Sequence, residues 1–205
     1  MESFEELLKQ AEVAHGHLCA GQILGVRMSL LACRLLDVAE PRNPVGPDRK
    51  KLVSFVEIDR CATDAIGLVT GCRLGKRALK FRDWGKMAAT FVNLATGRAV
   101  RIVALENSRE LARLRYPEIE NKGQQQMMAY RELTDEELFR EQWVTVDLPP
   151  KEMPGYKGER VACAECGEGV NFDRFVERAE PGGHVQRLCL SCADPSLRYW
   201  QPLGE

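Results

Sequence analysis

Two imidazoles and a thiol lie within five positions near the start of the chain, at His15, His17 and Cys19. Glycines flank this cluster, and the apolar segment that follows has helical spacing, which places the cluster at the N-terminus of a buried helix. Unpaired N–H groups and the helix dipole there favour a thiolate at Cys19. A thiolate beside imidazoles either binds soft metals or attacks electrophiles. A buried thiol beside histidines that only satisfy local hydrogen bonds is the alternative.

A second pair of cysteines brackets one short apolar run. Cys61 follows a strand-like segment and Cys72 follows the helix-stopping Gly71, so both are predicted at element ends, where site residues tend to lie. Together with the first cluster they suggest a core site of metal or reactive thiols, with His15 and Asp64 near it. Its predicted ligands are His17, Cys19, Cys61 and Cys72.

An independent enzyme is the competing hypothesis for the same residues. In it, Cys19 is the nucleophile and His17 the base. Residues two apart do not face each other on a helix, so this pairing requires the segment to be a turn. Cys33 lies inside the apolar helical pattern and is predicted to be a buried core residue.

The C-terminal segment contains two Cys-x-x-Cys pairs separated by 22 residues. This spacing is a strong signal for a structural zinc ion with four thiolate ligands, and a redox-active pair is the weaker alternative. The segment has few apolar residues, so the metal must supply folding free energy. The pattern predicts a treble-clef finger in which His184 is a turn residue and the ligands are Cys163, Cys166, Cys189 and Cys192.

The elements that position these residues follow from periodicity. Helices are predicted over residues 3–14, capped by a Ser3–Glu6 box, and over 19–38, where small residues allow close packing. A strand over residues 51–58 is followed by a meander of about three more strands, for which antiparallel pairing is expected because the connections are short. Later helices are predicted over residues 109–115, 124–133 and 134–142, and a last strand over residues 143–148.

Length, composition and charge narrow the possible partners and cellular location of the protein. The chain has 205 residues, 44% of them hydrophobic and 29% charged, with a net charge of −1, so nucleic acid is an unlikely partner. No apolar run is long enough to cross a membrane, and the acidic start lacks a signal-peptide pattern, which predicts a cytoplasmic protein. In that reducing compartment eight cysteines favour metal ligands or reactive thiols. The predicted organisation is an α+β core over residues 1–148, a Pro-rich linker over 149–160 and a zinc finger over 161–205.

Four motifs resemble those of a known family, that of the E subunit of formylmethanofuran dehydrogenase. They are His-Gly-His-Leu-Cys-Ala-Gly at residues 15–21, Cys-Ala-Thr-Asp-Ala-Ile at 61–66, Gly-Cys-Arg-Leu-Gly-Lys at 71–76 and Asp-Trp-Gly-Lys at 83–86. They occur in the family's order over roughly residues 10–105, and the cysteine-rich tail resembles the finger that some members carry. The chain departs from the family pattern at Ala20, Gly67, Arg73 and Trp84, none of which removes a candidate ligand.

The resemblance implies an α+β core with an antiparallel sheet and a homodimer. It also implies association with a molybdenum or tungsten dehydrogenase of one-carbon metabolism in methanogens. The leading hypothesis is therefore a metal-binding accessory protein with zinc in the tail and a second metal of unknown identity in the core. The alternatives are the enzyme with a cysteine nucleophile and a binding or regulatory module built on the zinc finger.

Overall fold

Two helices joined by four residues open the chain in the computed structural model, which describes residues 2–203. Helix α1 spans Phe4–His15, and Ser3 and Glu6 form both hydrogen bonds of the predicted capping box. Gly16 ends this helix in the left-handed conformation with φ of 91°, which glycine adopts without steric cost. Helix α2 spans Ala20–Leu35 and is buried along most of its length.

Helix α3, Cys61–Thr70, packs closely on α2. A Cβ atom added to Gly25 would lie 2.5 Å from the carbonyl oxygen of Ala62 and 2.8 Å from the Cβ of Ala65. Only a residue without a side chain fits such a crossing. The small residues predicted to allow close packing of α2 therefore do so against α3, and the contact aligns the N-terminal ends of the two helices.

A five-stranded sheet forms the other layer of the core, in the order β2-β1-β3-β4-β5. Phe91, Val100 and Ile102 are fully buried in the same apolar cluster as residues of α1 and α2. The mixed α+β class with a mainly antiparallel sheet is confirmed. The strands are β1 Leu52–Val56, β2 Leu79–Phe81, β3 Ala88–Asn93, β4 Ala99–Ala104 and β5 Phe139–Val144.

One strand departs from the predicted meander. Strand β2 pairs with β1 in parallel, Ser54 opposite Leu79, and does not form a hairpin with β3. The chain reaches β2 by a crossover through α3 and a short 3₁₀ turn, Leu74–Lys76, and this is the kind of connection that parallel pairing requires. The antiparallel expectation was wrong here because it considered only the short Asp83–Lys86 connection on the other side of β2.

The helices that precede β5 also differ from the prediction. Helix α4 spans Asn107–Arg115, α5 spans Lys122–Glu132, and α6 contains only the four residues Asp135–Leu138. Thr134 and Glu137 form a capping box at the start of α6, but the chain becomes a strand at Phe139 instead of continuing as a helix to residue 142. Pairing of this segment with β4, Phe139 opposite Ala104, outweighs its helical pattern.

The chain divides into two compact units, Met1–Asp147 and Leu148–Glu205. In the second unit, after a 3₁₀ turn at Pro150–Glu152, strand β6 (Val161–Ala162) pairs with β7 (Gly169–Val170). Strand β8 (Phe175–Ala179) forms a hairpin with β9 (Val185–Cys189), and helix α7 (Leu190–Ala193) follows immediately. A short paired turn, a hairpin and a helix form the predicted treble-clef order. Within residues 2–203, no helix is long and apolar enough to span a bilayer.

Candidate metal centres

The first cluster lies between α1 and α2. Three ligand atoms, one each from His15, His17 and Cys19, lie within 4.8 Å of one another. His15 is the last residue of α1, Cys19 is the N-cap of α2, and the left-handed Gly16 turns the chain between them. The predicted turn is therefore present, and it brings the two imidazole rings to a centroid separation of 4.8 Å.

Asp64 anchors one imidazole of this cluster. Its Oδ2 lies 2.8 Å from Nδ1 of His15, and it belongs to the first turn of α3. A carboxylate on one ring nitrogen fixes the orientation of a histidine and leaves the other nitrogen to face a metal. The His15 side chain is 18% exposed and the Asp64 side chain is 64% exposed, so the carboxylate is the more solvent-exposed partner of the pair.

Cys61 lies beside Cys19 but outside the group of three. The point where a Cβ on Gly21 would lie is 3.1 Å from the Cβ of Cys61 and 3.7 Å from the Sγ of Cys19. The pKa of the Cys61 thiol is raised, first by burial and then by the neighbouring Cys19 thiol. Both thiols remain half-buried, at the starts of α3 and α2.

A buried glutamine that the sequence reasoning overlooked joins these helix ends. The Gln22 side chain has no exposed surface, and its Nε2 donates a 2.7 Å hydrogen bond to the carbonyl of Cys61. Its Oε1 has no hydrogen-bond partner among residues 2–203. The sequence signal for Gln22 was a polar side chain inside an apolar helical segment, because buried polar groups are normally hydrogen-bonded to a specific partner.

Cys72, the fourth predicted core ligand, is not brought to this cluster. Its thiol lies against β1, 3.4 Å from the Ser54 hydroxyl and 3.4 Å from the Leu52 carbonyl. Cys61 begins α3 and Cys72 follows its end, and a ten-residue helix is about 15 Å long. One ion cannot bind at both ends. Burial raises the pKa of Cys72, and Cys33 is buried as expected.

The donors of the first cluster suit a borderline metal such as zinc. Two imidazole nitrogens and one thiolate are typical ligands of such ions, with bonds of about 2.0–2.3 Å. In a tetrahedral site, neighbouring donors lie up to about 4 Å apart, so the observed separation within 4.8 Å requires only small side-chain rotations. Three ligands from the chain leave a fourth position for Cys61, water or a substrate.

The second cluster consists of the four tail cysteines, whose sulfur atoms also lie within 4.8 Å of one another. Cys163 and Cys166 lie on the turn between β6 and β7, which is closed by a 2.9 Å hydrogen bond from the left-handed Gly167 to the Cys163 carbonyl. Cys189 ends β9, and Cys192 lies in α7. A four-cysteine cluster of this kind can bind a metal ion and fits a zinc finger.

Hydrogen bonds to the Cys163 sulfur favour its thiolate form, which is the form that binds a metal. Backbone N–H groups of Cys166 and Cys189 lower the pKa of Cys163 to about 6. The sulfur of Cys163 accepts from the Cys189 amide at 3.3 Å. Outside the four ligands, Nη2 of Arg198 lies 3.8 Å from the Cys192 sulfur, and its Nε donates to the Ser191 carbonyl. The positive charge of Arg198 offsets part of the negative charge of the thiolates. No residue spacing in the sequence predicted this contact.

A crossover α+β core with an imidazole–thiol cluster, followed by a four-cysteine finger, defines a two-module protein with two potential metal centres. A family model described as FmdE, molybdenum formylmethanofuran dehydrogenase operon, matches residues 14–142, which include every candidate residue of the core. The chain belongs to the FmdE family.

Two known proteins are similar to most of the chain. A probable S-adenosyl-L-methionine-binding protein of Archaeoglobus fulgidus is 32% identical over 91% of the chain, which spans about half of that relative (52%). A crystal structure of a tungsten formylmethanofuran dehydrogenase FmdE-like protein from Syntrophus aciditrophicus covers 96% of this chain and 95% of its own, with a TM-score of 0.63. At 22% identity, this second likeness shows the shared fold.

Proposed function

We propose that this chain is a metal-binding accessory protein with a reactive metal centre in its core. The observation that carries the proposal is the convergence of His15, His17 and Cys19, with Asp64 bound to one of the rings. Three protein ligands with an open position are typical of metal centres that bind or activate a further ligand, whereas a closed set of four is typical of structural ones. A bound metal would act there as a Lewis acid.

The residues of the chain have separable roles in this proposal. Asp64 holds the His15 ring by its Nδ1, so that Nε2 is the nitrogen left to bind the metal. Cys19 supplies the thiolate from the N-cap of α2, where the dipole of the helix stabilises negative charge. Cys61, which lies beside Cys19 and outside the group of three, is the candidate for the fourth position, which water or an incoming ligand can also occupy.

In the tail we propose a structural zinc ion bound by Cys163, Cys166, Cys189 and Cys192. The order of turn, hairpin and helix supports this, as does the closed set of four sulfurs. Within the described part of the tail, up to residue 203, the buried apolar residues are Cys163, Leu188 and Cys192, which is too little to fold without a metal. A protein with thiolate-bound metals is expected in a reducing compartment, so we retain the cytoplasmic assignment as a proposal.

Metal analysis of the full chain tests both centres. Wild-type protein purified under reducing conditions is expected to hold two ions per chain, Cys19→Ser one, and Cys166→Ser one. Cys33→Ser is the matched control, because its thiol is buried in the core and belongs to neither cluster, so the variant should retain two. A core that holds no metal in wild type, with four unreactive thiols, would exclude the proposed core centre.

The enzyme hypothesis remains a second candidate for the same residues. His17 and Cys19 are close enough to act together once a substrate is bound, although no hydrogen bond joins them in the part of the chain that the structure describes. Metal-dependent labelling distinguishes the two hypotheses. A nucleophilic Cys19 without metal reacts with a thiol reagent equally before and after chelation. A metal-bound Cys19 thiolate is protected before chelation and becomes reactive only when the metal is removed.

We further propose a homodimer formed through the core and association with a larger molybdenum or tungsten dehydrogenase of one-carbon metabolism. Family membership supports both proposals, and the family description names such an enzyme's operon. Light scattering at tens of micromolar protein should give twice the chain mass of 23.1 kDa, and a monomeric mass would count against the dimer. Size-exclusion chromatography with a purified formylmethanofuran dehydrogenase tests the second association.

A further inference from the structure

The starts of α2 and α3 place two partly exposed thiols, those of Cys19 and Cys61, beside the same glycine, Gly21. Cys19 Sγ and Cys61 Cβ both lie within 3.7 Å of the point where a Cβ on Gly21 would be. A disulfide forms between cysteines whose Cβ atoms lie about 3.5–4.5 Å apart, so two side chains that border the same point are candidates for one. We infer that Cys19 and Cys61 form a redox-active dithiol, held close together by the packing of α2 on α3 at Gly21, that small disulfides oxidise to an intramolecular disulfide.

Accessibility distinguishes this pair from the other thiols of the core. Cys33 and Cys72 are 1% and 2% exposed, so an external oxidant does not reach them in the folded protein. Cys19 and Cys61 are both partly exposed, whereas the Cys72 thiol lies against the Leu52 carbonyl. Among the described residues of the core, the Cys19–Cys61 dithiol is therefore the one that a small molecule can reach, and the buried Cys33 and Cys72 serve as an internal control.

The reaction is a two-step exchange with a disulfide RSSR. The Cys19 thiolate attacks one sulfur of RSSR, forming a mixed disulfide and releasing one RS⁻. The Cys61 thiol then gives up its proton to solvent and attacks the Cys19 sulfur, which releases the second RS⁻ and forms the Cys19–Cys61 bond. Two electrons pass from the protein to RSSR, and the two protons of the protein thiols end on the two RSH molecules.

Oxidation has a consequence for the core centre, and this part rests on the proposed function. A disulfide sulfur is not a thiolate, so the oxidised protein lacks the Cys19 ligand and retains only imidazoles. Conversely, a bound metal protects Cys19 from exchange. At a free metal concentration ten times the Kd of the core centre, the fraction of chains without core metal falls about elevenfold. Disulfide formation should slow by the same factor.

Peptide mapping of the full chain tests the inference. Metal-depleted protein is incubated with oxidised glutathione, quenched with acid and alkylated, and digested with trypsin. The expected product links residues 10–27 to residues 61–73, with a mass lower by two hydrogens. Residues 61–73 also contain Cys72, so fragment ions must locate the alkyl group on Cys72 and the link on Cys61.

Two glycine variants test the geometry while keeping all eight cysteines. Gly21→Ala inserts a methyl group between the two side chains and is expected to slow the link about tenfold to a hundredfold. Gly75→Ala, whose Cβ meets nothing within 4 Å, is the matched control and should react as wild type does. Circular dichroism establishes that both variants are folded. A link that forms equally fast in Gly21→Ala and wild type would overturn the inference.

Other outcomes separate this inference from the metal proposal. Separate glutathione adducts on Cys19 and Cys61, with no link between them, would refute the dithiol even if the core binds metal. A link that forms normally in His17→Ala, a variant expected to lose metal, would support the dithiol independently of the metal. If wild type forms the link but binds no core metal, the metal proposal fails and the dithiol stands.

Discussion

At the scale of single residues, burial sets the reactivity of the core thiols. Cys33 is 1% exposed, and burial raises its pKa to about 12, so almost none of it is thiolate at neutral pH. Cys19 is partly exposed at a helix start. Only the thiolate is nucleophilic, so the same reagent discriminates strongly between the two.

We therefore expect a limiting amount of iodoacetamide to label Cys19 at least about tenfold faster than Cys33 in metal-depleted protein. Peptide mapping measures the order, and the denatured chain, in which burial is lost, should label both at similar rates. Repeating the labelling without chelation shows whether a metal protects Cys19. Labelling of Cys33 ahead of Cys19 would refute the assignment of Cys19 as the reactive thiol.

A charged residue outside the site gives a pH-dependent prediction. Burial raises the pKa of Asp135, but hydrogen bonds from Arg27 and Arg34 outweigh it and hold the pKa below its ordinary value. A carboxylate with a depressed pKa stabilises the fold above the ordinary carboxyl pKa, and this contribution is lost as the pH falls. Asp135→Asn should cost about 1.5–3 kcal/mol at pH 7, and less near pH 3.

Urea unfolding at the two pH values measures this difference. Asp37→Asn is the matched control because its partner Arg98 and its own carboxylate are exposed, and pairs of that kind contribute little. An Asp135→Asn penalty that is unchanged between pH 7 and pH 3 would contradict the ion-pair explanation.

At the scale of elements, one close helix crossing positions the site. Gly25→Ala would place a methyl group 2.5 Å from the Ala62 carbonyl oxygen, and such overpacking typically costs about 1–3 kcal/mol. The added methyl group must push α3 away from α2. Because α3 carries Asp64 and Cys61, we also expect weaker metal retention in the core. Denaturant unfolding and metal analysis measure the two effects, and Gly75→Ala, within about 0.5 kcal/mol of wild type, is the control. A fully stable Gly25→Ala would show that α3 can move without cost.

Elements differ in how far sequence alone predicts them. Local signals succeeded: the Ser3 capping box forms, Gly71 ends α3, and the imidazole–thiol cluster needs only five consecutive residues. Long-range pairing did not follow from sequence, because the position of β2 beside β1 depends on how α3 packs. The prediction that Cys72 joins the imidazole–thiol cluster failed for the same reason, since the position of Cys72 depends on which strand lies beneath the end of α3.

At the scale of the whole molecule, the two units are expected to differ in their need for metal. Cys166→Ser removes one of four tail ligands, and since the tail has almost no apolar core of its own, it should unfold while residues 1–147 stay folded. Amide hydrogen exchange measures both regions in one experiment, with Cys33→Ser as the control. Unchanged tail protection in the presence of a strong chelator would show that the tail does not need zinc.

The spacing of ligands along the chain has a thermodynamic consequence for the two clusters. His15, His17 and Cys19 are so near in sequence that the unfolded chain can still wrap around an ion, and affinity for the unfolded state cancels part of any stabilisation. The tail pairs are 22 residues apart and meet only when the hairpin forms. Equal affinities would therefore raise the melting temperature of the tail much more than that of the core, and the core can exchange its metal with little risk of unfolding.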